Sequence, residues 1–474
     1  MPKKFYVTTA IDYVNAKPHI GHAYEKILAD AIARWYRLKG FDVRFLTGTD
    51  DNAQKNEQAA KESKIPPLAF VNKNAKHFEK LCKVLNISHN RFIRTIDKDH
   101  IKKSQEIFKK VYDKGDIYLG KYKGLYCRGC EAFKTERDLV NGKCPEHNTK
   151  PNKLSEEAYF FRLLKYKNQI LKLLKNKLVI PETKAKEIIY RLENEELRDL
   201  NVSRTNLEWG IDSPINKNFK IYVWFDALIN YISGSGKNEE YWPADCHVIG
   251  KGINWFHSVI WPAILLSSGY KLPKKILVHG YLTVDGKKIS KSLGNIIDPI
   301  ELSKKYSVDA LRYFLIREIP VENDGDFSEN ALKERYNNEL ANKLGNLVSR
   351  VTSLAEKHGL KKTQNKLLKK LKVKEIERNF DNYHVDRSLS EIFSFIDACN
   401  ECIQKNKPWE TKDAKLIYQL ADSIKAIAIV LWPFIPETSE KIASQFNFEI
   451  KYENIKKLLE ISKVKKGEIL FKKI

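Results

Sequence analysis

Hydrophobic and polar positions along this chain follow two periods in turn. Phe5, Val7 and Ile11, with threonines between them, mark a half-buried strand. Asn15-Ala16-Lys17-Pro18 breaks it, and from about Gly21 apolar residues recur at helical spacing through Ile27, Leu28, Ile32 and Trp35. A second strand, Val43–Thr47, runs into Gly48-Thr49-Asp50-Asp51, and a helix follows near Phe70 to Leu85. This alternation over residues 1–120 predicts a parallel sheet covered by helices. Asp50 then falls at a strand's carboxyl end, where open α/β sheets bind ligands.

From 121 to 220 the pattern dissolves into aromatic, cysteine-rich and charged text, closing with a charged helix over Glu182–Leu200, and reads as an insertion. The alternation resumes at Ile221. Ile221–Phe225, His247–Gly250 and Lys275–His279 read as strands, and Asn254–Ser267 as a helix. Residues 221–280 thus complete the sheet, and 281–335 form a loop and connecting region. Beyond Ala331 the text is helical, with amphipathic runs at Asn337–Leu354, Ser388–Gln404 and Asp413–Val430 and turns at Pro408, Pro433 and Pro436. Residues 336–474 are therefore expected to form a helix bundle. The lysine-rich stretch Lys361–Lys374 reads as a solvated hairpin rather than an RNA-facing edge.

At 474 residues the chain holds two to four structural units. Lysine and arginine number 84 against 60 acidic residues, a net charge of +24. A polyanionic partner is one reason for such a surplus, and a chain simply rich in Lys, Asn and Ile is another. No apolar run is long enough to span a bilayer. The start, MPKKFYVTT, runs straight into the first strand and does not read as a signal peptide, so a cytoplasmic protein is expected. Seven cysteines, an odd number, argue for metal binding or free thiols over a disulfide framework.

Three clusters carry candidate chemistry. His19-Ile20-Gly21-His22 sits where the first strand hands over to a helix, a place that offers free N–H groups and the positive end of a helix dipole. Cys127-x-x-Cys130 and Cys144-x-x-His147 are two short knuckles around Asn141-Gly142. They supply the Cys₃His set that closes a structural Zn²⁺ site. Cys399 and Cys402 have no second knuckle nearby and read as small packed residues. Lys287-Lys288-Ile289-Ser290-Lys291-Ser292 follows Gly286, expected to make a mobile loop, and places two ammonium groups to close on a triphosphate.

His19–His22 and Lys288–Ser292 together resemble the HIGH and KMSKS signatures of class I aminoacyl-tRNA synthetases. Within that class the chain resembles methionyl-tRNA synthetases along essentially its whole length. Tyr222-Val223-Trp224-Phe225-Asp226-Ala227-Leu228-Ile229-Asn230-Tyr231 is similar to the family's VWxDAxxxY segment, and Gly250–His257 to its GKDxxxFH segment. The resemblance implies a Rossmann-type parallel sheet interrupted by a zinc-knuckle insertion and followed by an all-α anticodon-binding bundle. It implies that methionine and ATP give methionyl-adenylate and pyrophosphate, with transfer to the terminal adenosine of tRNA(Met), initiator tRNA included.

By the same resemblance His19, His22, Lys288 and Lys291 are catalytic, and Gly21, Gly250 and Ser290 join them around ATP and its Mg²⁺. Ile11, Tyr13, Asp50, Trp224, Ala227, Leu228, Tyr231, Ile253 and His257 form the methionine site, with Asp50 on the ammonium. Asn346, Arg350 and Trp409 read the anticodon. Longer relatives carry a further dimerising domain, so a monomer is expected. Three positions depart from the family pattern. Gly252 replaces the acid of GKD, Asp12 places a charge beside the pocket, and Asp51-Asn52-Ala53 follows Asp50 in place of the usual Glu-His-Gly. Synthetases for leucine, isoleucine or valine carry a large editing domain that this insertion is too short to be, and those for cysteine put zinc at the amino-acid site. A tRNA-independent nucleotidyltransferase needs no anticodon-reading bundle, and a non-catalytic RNA-binding relative has no use for His19, His22, Lys288 and Lys291.

Overall fold

The structure, a computed structural model, describes residues 2–127, 132–134, 136–145, 148–205, 207–289 and 295–474. The alternating first part comprises β1 (Lys4–Tyr13), α1 (Ile20–Leu38), β2 (Asp42–Asp50), α2 (Gln54–Glu62), α3 (Pro67–Val84), β3 (Arg91–Arg94) and α4 (Lys98–Asp113). The chain then builds a small antiparallel sheet from β4 (Ile117–Cys127), β5 (Ala132–Lys134) and β6 (Asn152–Phe161). α5 (Lys167–Lys175), β7 (Val179–Ile180) and α6 (Glu182–Asn194) follow, then β8 (Leu200–Asn201) on the far edge of β6 and the short pair β9 (Ser203–Arg204) and β10 (Lys220–Ile221).

Two sequence expectations fail here. The charged helix ends at Asn194, and Leu200 belongs to a strand. Glu193, Glu195 and Glu196 oppose the negative end of the helix dipole, and Glu195 is already extended. Ile221–Phe225 is not a strand beyond Ile221. α7 (Val223–Ser233) begins at once and buries nearly every side chain, a pattern that a short apolar run does not distinguish from a buried strand.

β11 (Cys246–Gly250), α8 (Trp261–Ser268) and β12 (Ile276–His279) complete a six-stranded, wholly parallel sheet in the order β3-β2-β1-β11-β12-β7. β7, from the stretch read as an insertion, is its outer strand. β1 carries one extra residue against β2 between Thr8 and Ile11, a bulge that resets which side chains face the sheet's carboxyl end.

Next come the hairpin of β13 (Leu282–Val284) and β14 (Lys287–Lys288), α9 (Pro299–Tyr306), α10 (Val308–Glu318), β15 (Gly325–Phe327) and α11 (Glu329–Arg335). Past a wide helical turn, the bundle is α12 (Asn346–His358), α13 (Val373–Asp381), α14 (Val385–Asn406), α15 (Pro408–Thr411), α16 (Ala414–Leu431) and α17 (Pro436–Gln445). Lys361–Lys374 is not a free hairpin. Asn365 donates to Asp422 at 2.9 Å and Ser423 at 3.0 Å, and Leu371 is buried. One apolar core runs unbroken from β1 and α1 through α10 into α12, α14 and α16, so sheet and bundle share packing. A second core fills the opposite face of the sheet.

Candidate active site

Strand order reverses between β1 and β11, and at the carboxyl edge there a cavity of about 560 Å³ opens. Ile11, Tyr13, His19, Gly21, His22, Asp50, Trp224, Ala227, Leu228, Tyr231, Gly250, Ile253 and His257 all border it. Residues from sequence clusters far apart along the chain thus meet around one space.

His19 caps α1. The Gly21 N–H donates to His19 Nδ1 at 3.1 Å, and the His19 N–H donates to His22 Nδ1 at 3.0 Å. Both Nδ1 atoms are therefore acceptors, and each ring carries its proton on Nε2. The rings lie 3.9 Å apart. A Cβ on Gly21 would stand 2.9 Å from His19 Cε1, so glycine lets the cap form. Burial, with His22 beside it, pushes His19 down to about 3, and burial with the nearby Lys26 ammonium pushes His22 down to about 3. The pair is neutral at pH 7 and offers N–H donors rather than the cationic cluster that two histidines imply; a bound phosphate would raise both.

The Asp12 charge is answered by Lys26, one turn beyond His22 and fully buried, with which it forms an ion pair. Burial works to lower the Lys26 ammonium, but Asp12 outweighs it and holds it above its ordinary range. Lys26 carries no signature in the sequence, because a lysine on an amphipathic helix reads as solvent-facing.

The other end of the cavity is aromatic. Trp224 stacks on Phe256 with centroids 3.4 Å apart and meets Tyr13 edge-on at 6.3 Å. His257 Nδ1–H donates to the Ile253 carbonyl at 3.0 Å, so Nε2 accepts from the Tyr231 hydroxyl at 2.7 Å. Burial pushes His257 down to about 4, which keeps this chain of bonds neutral. Asp50, the last residue of β2, is buried, and its Oδ1 accepts from the Asn52 N–H at 3.2 Å.

Glu25 and Tyr281 also border the cavity without carrying a mark in the sequence. Glu25 Oε2 lies 3.2 Å from His279 Nε2, while Oε1 has no partner among the described residues. At Gly252 a Cβ would stand 2.3 Å from the Tyr281 hydroxyl, so any side chain there obliges the tip of the exposed Tyr281 to move. Beside it Lys251 binds Asp324 at 2.6 Å, and Asp324 also accepts from the Tyr281 N–H at 2.8 Å.

The lysine cluster begins in β14 of the β13–β14 hairpin. Asp285 and Gly286 both have positive φ, a primed two-residue turn, and the Gly286 N–H donates to Asp326 at 2.8 Å. Gly286 is thus a tight-turn residue, not the mobile link expected. Lys288 pairs through its backbone with Thr283, and Thr283 and Ile289 border the cavity. The Lys288 side chain, Ser290 and Lys291 lie outside the described residues.

Of the four knuckle residues, Cys127 and Cys144 are buried, and Cys130 and His147 lie outside the described residues. Asn141 and Gly142, both at positive φ, turn the Val140–Lys143 bridge, and the Asn148 N–H folds back onto the Cys144 carbonyl at 2.7 Å. In the bundle, Asn346 and Arg350 are one turn apart on α12, half-buried and exposed. Trp409, 44% exposed, stands in the α14–α16 connection and is no core residue.

The family model for class I tRNA synthetases of type M matches residues 5–153 and 146–352, and that for the anticodon-binding domain of tRNA ligases matches 365–470. The chain is 41% identical to the methionine–tRNA ligase of Caldanaerobacter subterraneus over 507 aligned positions, covering 100% of this chain and 79% of that one. Against the Thermotoga maritima ligase the identity is 42%, over 99% of this chain and 80% of that one. The chain belongs to the methionine–tRNA ligase family. Methionyl-tRNA synthetase from Mycobacterium tuberculosis, solved in complex with methionyl-adenylate, superposes with a TM-score of 0.94 at 36% identity, covering 99% of both chains. The apo form of the same ligase gives 0.87 at 33% identity, over 100% of this chain and 99% of that one. This family member thus has the class I sheet with its helical C-terminal domain, and no helix among its described residues is long and apolar enough to cross a membrane.

Proposed function

We propose that the cavity at the sheet's carboxyl edge is where this methionine–tRNA ligase joins its amino acid to ATP. The methionine carboxylate attacks the ATP α-phosphate, giving methionyl-adenylate and pyrophosphate, and the methionyl group then passes to the terminal adenosine of tRNA(Met). The observation that carries the reading is the meeting, around one cavity, of two Nε2–H donors at a helix N-terminus with a buried carboxylate and an aromatic wall.

Transfer at phosphorus is mostly positioning and charge stabilisation. His19 and His22 supply donors to the α-phosphate oxygens where negative charge builds up, and the α1 dipole adds to them. Lys288 and Lys291 hold the departing pyrophosphate, with Ser290, Gly21 and Gly250 lining the nucleotide's path. Mg²⁺ accompanying ATP would neutralise part of the phosphate charge. Glu25 and Tyr281, which both border the cavity, are the side chains nearest to hand for the ribose hydroxyls in place of an acid at 252. Asp50 takes the methionine ammonium through a charge-assisted bond. The Tyr231 hydroxyl already donates to His257, so what Tyr231, Tyr13 and Trp224 offer the thioether is polarizable ring surface. Ile11, Ala227, Leu228 and Ile253 close the apolar wall.

Cys127, Cys130, Cys144 and His147 are the donor set for a structural Zn²⁺; the burial of Cys127 and Cys144 and the turn at Asn141-Gly142 fit that role. A Zn²⁺ held by them would clamp the small β4–β6 sheet, none of whose described residues borders the cavity. Asn346, Arg350 and the exposed Trp409 read the anticodon by edge contacts and stacking, and the +24 charge draws the tRNA in.

Methionine-dependent exchange of pyrophosphate into ATP tests the reading. The purified protein should exchange with methionine and with no other standard amino acid. His22→Ala should lower the rate about 10²- to 10³-fold, as loss of one preorganised donor does. Exchange driven by another amino acid, or full exchange in His22→Ala, would overturn it.

A further inference from the structure

Asp226 lies within the apolar wall helix yet does not border the cavity. It is fully buried in the first turn of α7, between Trp224 and Ala227, and both its oxygens are taken. Oδ1 accepts from His100 Nε2 at 2.6 Å and from Ser104 at 3.2 Å, both on α4. Oδ2 accepts from the Asn52 side-chain amide at 2.8 Å. Asn52 in turn donates its backbone N–H to Asp50 Oδ1 at 3.2 Å, and its amide reaches the Thr95 carbonyl at 3.2 Å.

One carboxylate therefore joins α4, α7 and the loop after β2. The ammonium end of the amino-acid site stands on Asp50, where β2 passes into that loop, and the thioether wall stands on α7. They come from opposite halves of the sheet, 174 positions apart at the Asn52–Asp226 bond. His100 Nδ1 pairs with Ser233 at 2.9 Å, so the imidazole is itself held at the last turn of the same helix.

We infer that Asp226 and Asn52 are positioning residues for the amino acid: their bond fixes the separation between the Asp50 carboxylate and the Trp224 wall, and so the length of side chain the site accepts. The inference rests on the assignment of the ammonium to Asp50. Cutting a hydrogen bond to a buried charge of this kind should raise the methionine KM about ten- to hundredfold.

The polarity of the bond gives the test. In Asp226→Asn one oxygen still accepts from His100, but the new amide nitrogen faces the Asn52 amide, donor against donor. Asn52→Asp sets two carboxylates together. Asn52→Asp combined with Asp226→Asn reverses the bond: the amide now on α7 donates to the carboxylate now on the loop after β2, and the His100 bond is kept. Asn52→Ala removes the link at its half-buried end together with the amide's bond to the Thr95 carbonyl. Methionine and ATP KM are measured by pyrophosphate exchange, with melting temperature alongside.

Each single variant should raise the methionine KM about tenfold or more, leave the ATP KM within about twofold, and discriminate norleucine from methionine less well. The double variant should recover most of the methionine KM. Equal rises in both KM values, an unchanged methionine KM in Asn52→Ala, or no recovery in a double variant that melts normally would each overturn the inference. Asp50→Asn separates the two layers: if it leaves the methionine KM unchanged, the ammonium assignment fails. If it raises that KM while the Asn52 and Asp226 variants do not, only the positioning role fails.

Discussion

At the scale of single residues the site is governed by burial. His19, His22 and His257 are pushed down to about 3, 3 and 4, chiefly because an imidazolium would lose its water there. An unfolded chain titrates its histidines near 6.5, so below that pH it binds more protons than the folded one. Stability is therefore complete above about pH 6.5 and is lost as the pH falls toward the folded values. By pH 5 each such histidine costs roughly 2 kcal/mol. Replacing His257 by Gln should accordingly flatten the acid limb: melting followed at pH 7 and pH 5 should show a smaller drop than in the parent protein. An equal drop would mean that His257 is protonated in the fold. Gly252 gives a second residue-scale prediction. Restoring an acid with Gly252→Asp displaces the Tyr281 hydroxyl, 2.3 Å from the new Cβ, from its place at the cavity edge. The ATP KM should rise about tenfold, and Gly252→Asp with Tyr281→Ala should recover it. A single variant with normal ATP KM would show that Tyr281 swings aside freely.

At the scale of elements, legibility in the sequence depends on periodicity. β1, α1, β2 and α3 are legible because one face of each is apolar and a breaker separates neighbours. The first turn of α7 reads as a strand because a helix apolar all round has no period to show. The Asp12–Lys26 ion pair and the free oxygen of Glu25 are invisible, since a charged residue on an amphipathic helix carries no mark of which charge turns inward. The Asn52–Asp226 bond is hidden for another reason, because its partners are distant in sequence and each is ordinary in its own segment. The knuckle is read from the spacing of four donors, of which Cys130 and His147 lie outside the described residues, and it yields a metal prediction. The protein should contain one Zn²⁺ per chain by atomic absorption. Cys144→Ser should lose it and lower the melting temperature, since Cys144 sits at the fold-back that closes the turn. Adenylate formation should suffer less than tRNA charging, because none of the sheet's described residues borders the cavity. Full zinc content in Cys144→Ser would place the metal elsewhere.

At the scale of the molecule, one buried side chain ties the site to the bundle. Arg312, on α10 and fully buried, pairs with Asp30 of α1 at 2.7 Å and donates to the carbonyls of Leu85 at 3.1 Å, Pro433 at 3.0 Å and Phe434 at 2.9 Å. Asp30 lies on the same helix whose first turn holds His19 and His22, and Pro433 and Phe434 form the corner between α16 and α17. Burial alone would raise Asp30, yet Arg312 and Arg34 together hold it down to about 2. Arg312→Met leaves that carboxylate buried with Arg34 and Ser88, and leaves carbonyls that have lost their donor. Breaking a buried pair from one side costs about 3–5 kcal/mol, and the melting temperature should fall accordingly. Arg312→Lys, which keeps the charge but cannot fork to four acceptors, should fall in between. Because the lost contacts reach the bundle and not the cavity, tRNA charging should drop more than pyrophosphate exchange at temperatures where the variants are still folded. If both fall in the same proportion, the shared core of α1, α10 and the bundle already fixes their relation, and Arg312 only stabilises it.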